Sequence, residues 1–269
     1  MDKLRLCILI FILGIILTGK LWSQTTADPD GQVEANPGRP TVSTPATLSP
    51  VGYLQIETGV LGAEKSGEFS NRTGIQALAK LSLNQSFEFL LQTEPMVFSD
   101  LGPRTDAEPG EVFAGIQAVV HHGEGVQPTI SVSYFRRLYA SPAPELDIGT
   151  NRQSALLLAS FDVRKFHIDT NGILTEQITD TRGTHRIQFG QTLSISHPLA
   201  WHLGMSAEIW HFSQPITRSN AVGLLFAPSY NVKRYLVLDA GFNRGLTSTS
   251  TRWEGFVGLT YLFPKKLWR

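Results

Sequence analysis

One cysteine in 269 residues, Cys7, excludes a disulfide framework and any site built from paired thiols. Charge is scarce as well: charged residues make up 17% of the chain, and basic and acidic side chains are equal in number. No cationic face of the kind that grips phosphates follows from such a balance, so nucleic acid is not expected as a partner. The longest apolar run, Leu6 to Leu17, falls short of the roughly twenty residues that a membrane-spanning helix needs, because Lys20 arrives too early. There is no His-Glu-x-x-His pair, and the histidines (His121, His122, His167, His185, His197, His202 and His211) are scattered. Adjacent His121 and His122 point to opposite faces of a strand and cannot chelate together, so no metal site is expected. Gly241-Phe242-Asn243-Arg244-Gly245 lacks the spacing and the following helix of a phosphate loop. No cofactor is expected.

What is present begins with a basic start, Met1-Asp2-Lys3-Leu4-Arg5, the apolar run to Leu17, and a polar exit from Thr18 to Gln24. That is the three-part pattern of a cleaved secretory signal, assigned to residues 1–23 with the cut near Ser23/Gln24. Cys7 would leave with it, and the remaining chain would carry twenty basic against twenty-two acidic residues. From Thr25 to Pro50 there are five prolines, many small polar residues and no hydrophobic period. Residues 24–50 therefore read as an extended periplasmic lead-in.

From Gly52 onward the pattern changes. In Leu54-Gln55-Ile56-Glu57-Thr58-Gly59-Val60 apolar and polar positions exchange at nearly every step, which puts them on opposite faces of a strand. The same period recurs in eleven further segments, from Arg72–Ser82 through Trp253–Phe263. The links after every second strand are short, as at Leu83–Ser86 and Asp162–Lys165, whereas links such as Thr93–Gly110 and Leu138–Arg152 are long. Short turns on one side and long loops on the other characterise a membrane-spanning barrel, with the turns in the periplasm. The expected fold is all-β: a transmembrane antiparallel up-and-down barrel of about twelve strands over residues 51–263, followed by a short tail, 264–269. Phe87, Phe89, Leu91, Ile130, Val132 and Tyr134 fall on the lipid side, as do Trp201, Leu203, Met205 and Ile209. Gln191 breaks the pattern on the apolar side of its strand, and Leu156 and Leu158 break it on the polar side of theirs.

Two stretches resemble known signatures. Gly38-Arg39-Pro40-Thr41-Val42-Ser43-Thr44-Pro45, followed by Val51-Gly52-Tyr53-Leu54-Gln55-Ile56-Glu57-Thr58-Gly59, is similar to the opening of the outer-membrane transporters associated with the meta-cleavage pathway of phenol degradation. That resemblance extends diffusely over the barrel. It implies an outer-membrane location and passage of small, often aromatic, molecules. Val257, Leu259, Tyr261 and Phe263 alternate along the last strand and resemble the signal by which the barrel-assembly machinery recognises its clients. Here the strand is followed by Pro264-Lys265-Lys266-Leu267-Trp268-Arg269 rather than ending on the aromatic residue.

The candidate lumen-lining residues are Glu57, Lys80, Glu88, Asp169, Arg186, Glu208 and Asp239. They form either a charged constriction that selects solutes or a network of paired charges that fills the interior. The lead-in offers itself as a plug, with Arg39 reaching the lumen. No catalytic residue is assigned, and the chain is not expected to be an enzyme: the histidine-x-serine-asparagine signature of the outer-membrane phospholipase barrel is missing, the nearest approaches being His197-Pro198-Leu199 and His211-Phe212-Ser213-Gln214. Three functions are weighed: a channel or uptake protein for small hydrophobic or aromatic solutes, a closed structural barrel that binds a partner through its loops, and an outer-membrane hydrolase. The expected partners are outer-membrane lipid, the barrel-assembly machinery and a small-molecule solute.

Overall fold

The computed structural model describes residues 33–100, 105–146, 150–178, 186–215 and 217–268, so the signal assigned to 1–23 lies outside them. The strands are β1 (Leu54–Glu64), β2 (Asn71–Ser82), β3 (Phe87–Asp100), β4 (Thr105–Glu108), β5 (Val112–His121), β6 (Thr129–Tyr139) and β7 (Thr150–Val163). They continue as β8 (Phe166–Ile178), β9 (Ile187–Pro198), β10 (Leu203–Gln214), β11 (Ser219–Lys233), β12 (Leu236–Gly245) and β13 (Trp253–Leu262). Every pairing is antiparallel, and β13 returns to β1 over the register Gln55↔Leu262 to Glu64↔Trp253, which closes the ring. β3 pairs with β5 over Phe87–Thr93 and with β4 over Val97–Asp100. β4 and β5 are thus two pieces of one interrupted strand, and the architecture is a closed barrel of twelve strands. The interruption falls at Pro109-Gly110, where proline has no N–H to give the ladder and a side chain at Gly110 would lie 2.4 Å from Glu94 Cβ.

Several strands outrun the sequence reading on the loop side. Thr93–Gly110 reads as a loop, yet β3 runs on to Asp100 because alternation persists: Met96 and Phe98 stay exposed while Val97 and Ser99 are buried. At the other end of the barrel, β10 starts at Leu203 rather than Trp201. Trp201 and His202 both have positive φ, 65° and 64°, and form the tight turn that reverses the chain from β9.

The polarity is the reverse of a soluble domain's. Large apolar side chains such as Phe87, Phe89, Ile116, Leu157, Leu193 and Val257 stand exposed on the outer wall, whereas buried side chains are predominantly polar. An apolar outside and a polar inside, with every strand edge paired, is the solution that hydrocarbon imposes on a sheet. Gln191 does face outward and Leu158 is fully buried facing inward, so the breaks in the sequence pattern are real features of the wall.

Bulky inward rings lie against glycines on the neighbouring strand. A Cβ at Gly223 would meet the Trp210 ring at 2.2 Å, one at Gly190 the Phe212 ring at 2.4 Å, and one at Gly115 the Phe135 ring at 2.6 Å. Trp210 is held further by Nε1 donating to Asn243 Oδ1 at 2.9 Å. Gly223→Val should therefore expel the indole and destabilise the barrel by about 1–3 kcal/mol, the usual cost of overpacking. A lowered midpoint in thermal unfolding followed by electrophoretic mobility would register this; an unchanged midpoint would show that the indole relocates freely.

Candidate functional site

The lumen on the turn side is occupied by the chain's own lead-in. Residues 33–50 have no helix or strand, and such a segment leaves its backbone N–H and C=O groups in need of partners. Inward side chains of the wall supply them. The segment reaches the lumen beside the β11–β12 turn, where Ala35 N donates to Arg234 O at 2.8 Å. It then meets Gln55 on β1 in a reciprocal pair: Asn36 N donates to Gln55 Oε1 at 2.8 Å, and Gln55 Nε2 donates to Asn36 O at 2.7 Å. Glu57, two residues on, accepts from the backbone N–H groups of Gly38 at 2.9 Å and Arg39 at 3.1 Å, and from Lys80 Nζ of β2 at 2.5 Å.

Arg39 then crosses the interior. Its Nε lies 3.2 Å from both oxygens of Asp239 on β12, its Nη2 donates to the same carboxylate at 3.1 Å, and Nη1 donates to Gln76 on β2 at 3.2 Å. The guanidinium fits only because two wall positions are glycine. A Cβ at Gly59 or Gly258 would come within 2.8 Å of it. Phe256 on β13 lies beneath it, 5.7 Å from ring centre to Cζ. This forked pair, with both partners largely buried, is a salt bridge that ties the segment to the barrel interior.

The remaining contacts proceed round the wall in reverse strand order. On β10, Glu208 accepts from Val42 N at 2.6 Å, Ser43 N at 2.7 Å and Ser43 Oγ at 2.6 Å. On β8, Asn171 exchanges bonds with Thr44, accepting from its N at 2.6 Å and donating to its O at 2.9 Å. Ser160 on β7 accepts from Ala46 N at 2.7 Å, and Ala46 O accepts from Ser131 on β6 and Gln117 on β5. Ser160 in turn donates to Asp169 of β8. The circuit ends on β3, where Glu88 accepts from Ser49 N at 2.8 Å, from Ser49 Oγ, and from Ser82 Oγ at 2.9 Å. Asn36 Nδ2 staples the beginning of the loop to its end by donating to the carbonyls of Thr47 and Leu48, both at 3.0 Å.

Of the candidate lumen residues, Glu57, Lys80, Glu88, Asp169, Glu208 and Asp239 are buried in this assembly. Arg186 stands apart from them: it is exposed just before β9, at the loop-side rim where inward positions leave the barrel body. Asp169 is close to His167, 3.2 Å from Nε2, whose Nδ1 lies 2.7 Å from Asp162. Sequence reasoning did not single out Gln55, Gln76, Gln117, Ser131, Ser160, Asn171 and Thr192, the uncharged half of the ring. Their signal is an inward polar position on each strand, at a depth that only the register reveals. Val257 is exposed, Leu259 and Tyr261 are half-buried, and Phe263 follows the last strand with its ring 5.0 Å from Tyr261. The C-terminal tail is pinned by Leu267 N donating to Gly52 O at 2.7 Å.

The loop-side half of the lumen carries an apolar sector beside buried polar residues such as Arg72, Glu111 and Gln177. Leu61, Ala63, Phe69, Leu225, Ala227 and Phe256 form an apolar cluster there, and Leu146 from the β6–β7 loop packs on it. That loop is held inward by Arg72 Nε donating to Pro144 O and Thr251 Oγ1 donating to Leu146 O, both at 2.8 Å. Arg72 is itself paired with Glu94.

No family model matches the chain, and no curated protein does. Among solved structures it is similar to a protein described as KdgM porin, with a TM-score of 0.55 and 10% identity over 78% of this chain and 99% of that one. It is also similar to an outer membrane channel from Pseudomonas putida F1, with a TM-score of 0.57 and 12% identity over 86% of this chain and 100% of that one. At such identities the likeness is one of fold, and the fold is that of an outer-membrane β-barrel.

Proposed function

We propose that the protein is an outer-membrane uptake channel for small apolar or aromatic solutes, with residues 33–50 as its internal gate. The observation that carries this reading is how the interior is filled: an apolar cluster sits on the loop side and, beneath it, a polar ring spends many of its hydrogen bonds on a peptide as well as on one another. A barrel meant only to be rigid can fill its lumen with side chains from its own wall. Here the filling is a separate segment, bound by side chains that would line an aqueous passage if it moved. The two similar structures, a porin and a channel, support the same reading, and so does the resemblance of the Arg39-Pro40 region to transporters of the phenol pathway.

The decisive experiment compares the intact refolded barrel with one lacking residues 33–50, in planar bilayers and in vesicles loaded with polar and aromatic probes. The intact chain should show small or infrequent conductance steps, and the shortened one large, salt-dependent steps. A shortened barrel with correct β-structure that passes no more than the intact chain would leave the closed structural barrel as the reading.

A single substitution tests the gate with less damage. Asp239→Asn removes the charge opposite Arg39, and breaking one partner of a buried ion pair costs about 3–5 kcal/mol. That loss should fall on docking of the segment, since Asp239 bonds to Arg39 rather than to another strand. Hydrogen exchange at residues 36–49 should accelerate by two orders of magnitude or more while protection of β6–β9 is unchanged. Uniform loss of protection across the barrel would instead make the pair a general structural element.

A further inference from the structure

The outer wall over β7–β10 carries a shallow groove of about 530 Å³. Its floor is made of small side chains, Ala159, Thr170 and Gly172, and a Cβ at Gly172 would meet nothing within 4 Å. Leu157, Leu193 and Ile209 rise at its sides, all three exposed. Gln191 also lines it, paired in register with Gly172 on β8 and His211 on β10. Gln191 lies seven residues from the turn-side end of β9. At a rise of about 3.3 Å per residue and a tilt near 40°, that is roughly 17 Å up the wall, inside an apolar band about 25 Å tall.

Several other outward polar side chains find partners within the wall. Thr170 Oγ1 donates to Thr192 O at 2.9 Å and Thr58 Oγ1 to Gln76 O at 2.8 Å. Gln153 accepts from Tyr134 at 2.6 Å and donates to Glu176 at 2.7 Å, and His211 Nε2 lies 3.1 Å from Asn220 Oδ1. The Gln191 carboxamide is exposed and has no protein partner in the described structure. Lipid tails offer it none, and an amide left unbonded in hydrocarbon is costly. A groove this shallow also cannot enclose most of a small molecule's surface, as a solute site does. A second barrel wall can cover it.

We propose that this face docks a second copy of the chain, with Gln191 at a twofold axis. A carboxamide is self-complementary, carrying both a donor and an acceptor, so two copies facing each other exchange two N–H···O bonds. The small floor lets the walls approach closely around that pair, as small residues do where membrane-embedded segments pack.

The test uses the full chain with its own cysteine removed, C7S, refolded into detergent micelles and then vesicles. Q191C in that background should form an intermolecular disulfide under mild oxidation, whereas L238C, outward on β12 and three strands round the wall from β9, should not. Mass measurement across a dilution series should give a dimer for the unsubstituted chain and about tenfold weaker association for Q191L, which suits a lipid-facing position and so should fold. A monomer at every concentration, or cross-linking at L238C equal to that at Q191C, would overturn the proposal. So would an amphiphile that copurifies with the unsubstituted chain and is lost from Q191L, since the groove would then belong to a bound molecule.

Discussion

Everything else in this molecule depends on one constraint: inside hydrocarbon, each backbone N–H and C=O must find its partner within the protein. The register between β1 and β13 meets it by closing the sheet on itself, so that no strand edge faces lipid. Closure then dictates the rest. A closed sheet has an inside and an outside, alternation assigns successive residues to each, and the lipid-facing side takes the large apolar side chains. The inside is left to polar residues and to whatever fills the space they enclose.

What fills it here makes the wall and the lead-in mutually dependent. Glu208 and Glu88 are buried, and each accepts from three N–H and O–H donors, mostly from the segment 33–50. Charge-assisted bonds of this sort are about twice as strong as neutral ones. Conversely, the segment has no internal ladder of its own, and its backbone is satisfied by side chains from β1, β3, β5, β6, β7, β8 and β10. Withdrawal of the segment would require water to take every one of those places at once. That favours two discrete arrangements, seated and released, over a continuum between them.

How much of this was legible in the sequence follows from the range of each interaction. Strand existence depends on alternation between neighbours, and twelve segments could be read because Leu54–Val60 or Phe87–Gln92 declare their faces locally. Strand ends were less legible, since Met96 and Phe98 continue the wall beyond Pro95, a residue that ordinarily argues against a strand. Part of the charged lumen could be named because an inward Glu or Asp in an apolar segment is conspicuous, whereas Arg72 and Glu111, buried near the strand ends on the loop side, were not. Asn171 and Ser160 could not, because inward serine and asparagine are what any such barrel has. Their common task, bonding the main chain of Thr44 and Ala46, is set by contacts more than a hundred residues apart in sequence. Arg39 was visible as the one basic residue in a proline-rich stretch, but Gly59 and Gly258, which make room for it, carry no signal of that role.

The two ends of the lumen are closed by different kinds of contact. On the loop side, the inward-folded β6–β7 loop is held by the Arg72 and Thr251 bonds to its carbonyls and by Leu146 on the apolar cluster. On the turn side, the segment 33–50 has the Arg39–Asp239 fork, three carboxylates accepting main-chain N–H groups, and the reciprocal amide pairs at Gln55 and Asn171. An apolar solute entering on the loop side would meet Leu146 packed against the cluster of Leu61, Leu225 and Phe256. The next barrier is polar, and Arg39 lies at the boundary, with its guanidinium over the Phe256 ring of the apolar cup and its donors in Asp239 of the polar ring. One side chain thus touches both, and Phe256 is the shortest physical route from the loop-side apolar cluster to the segment 33–50.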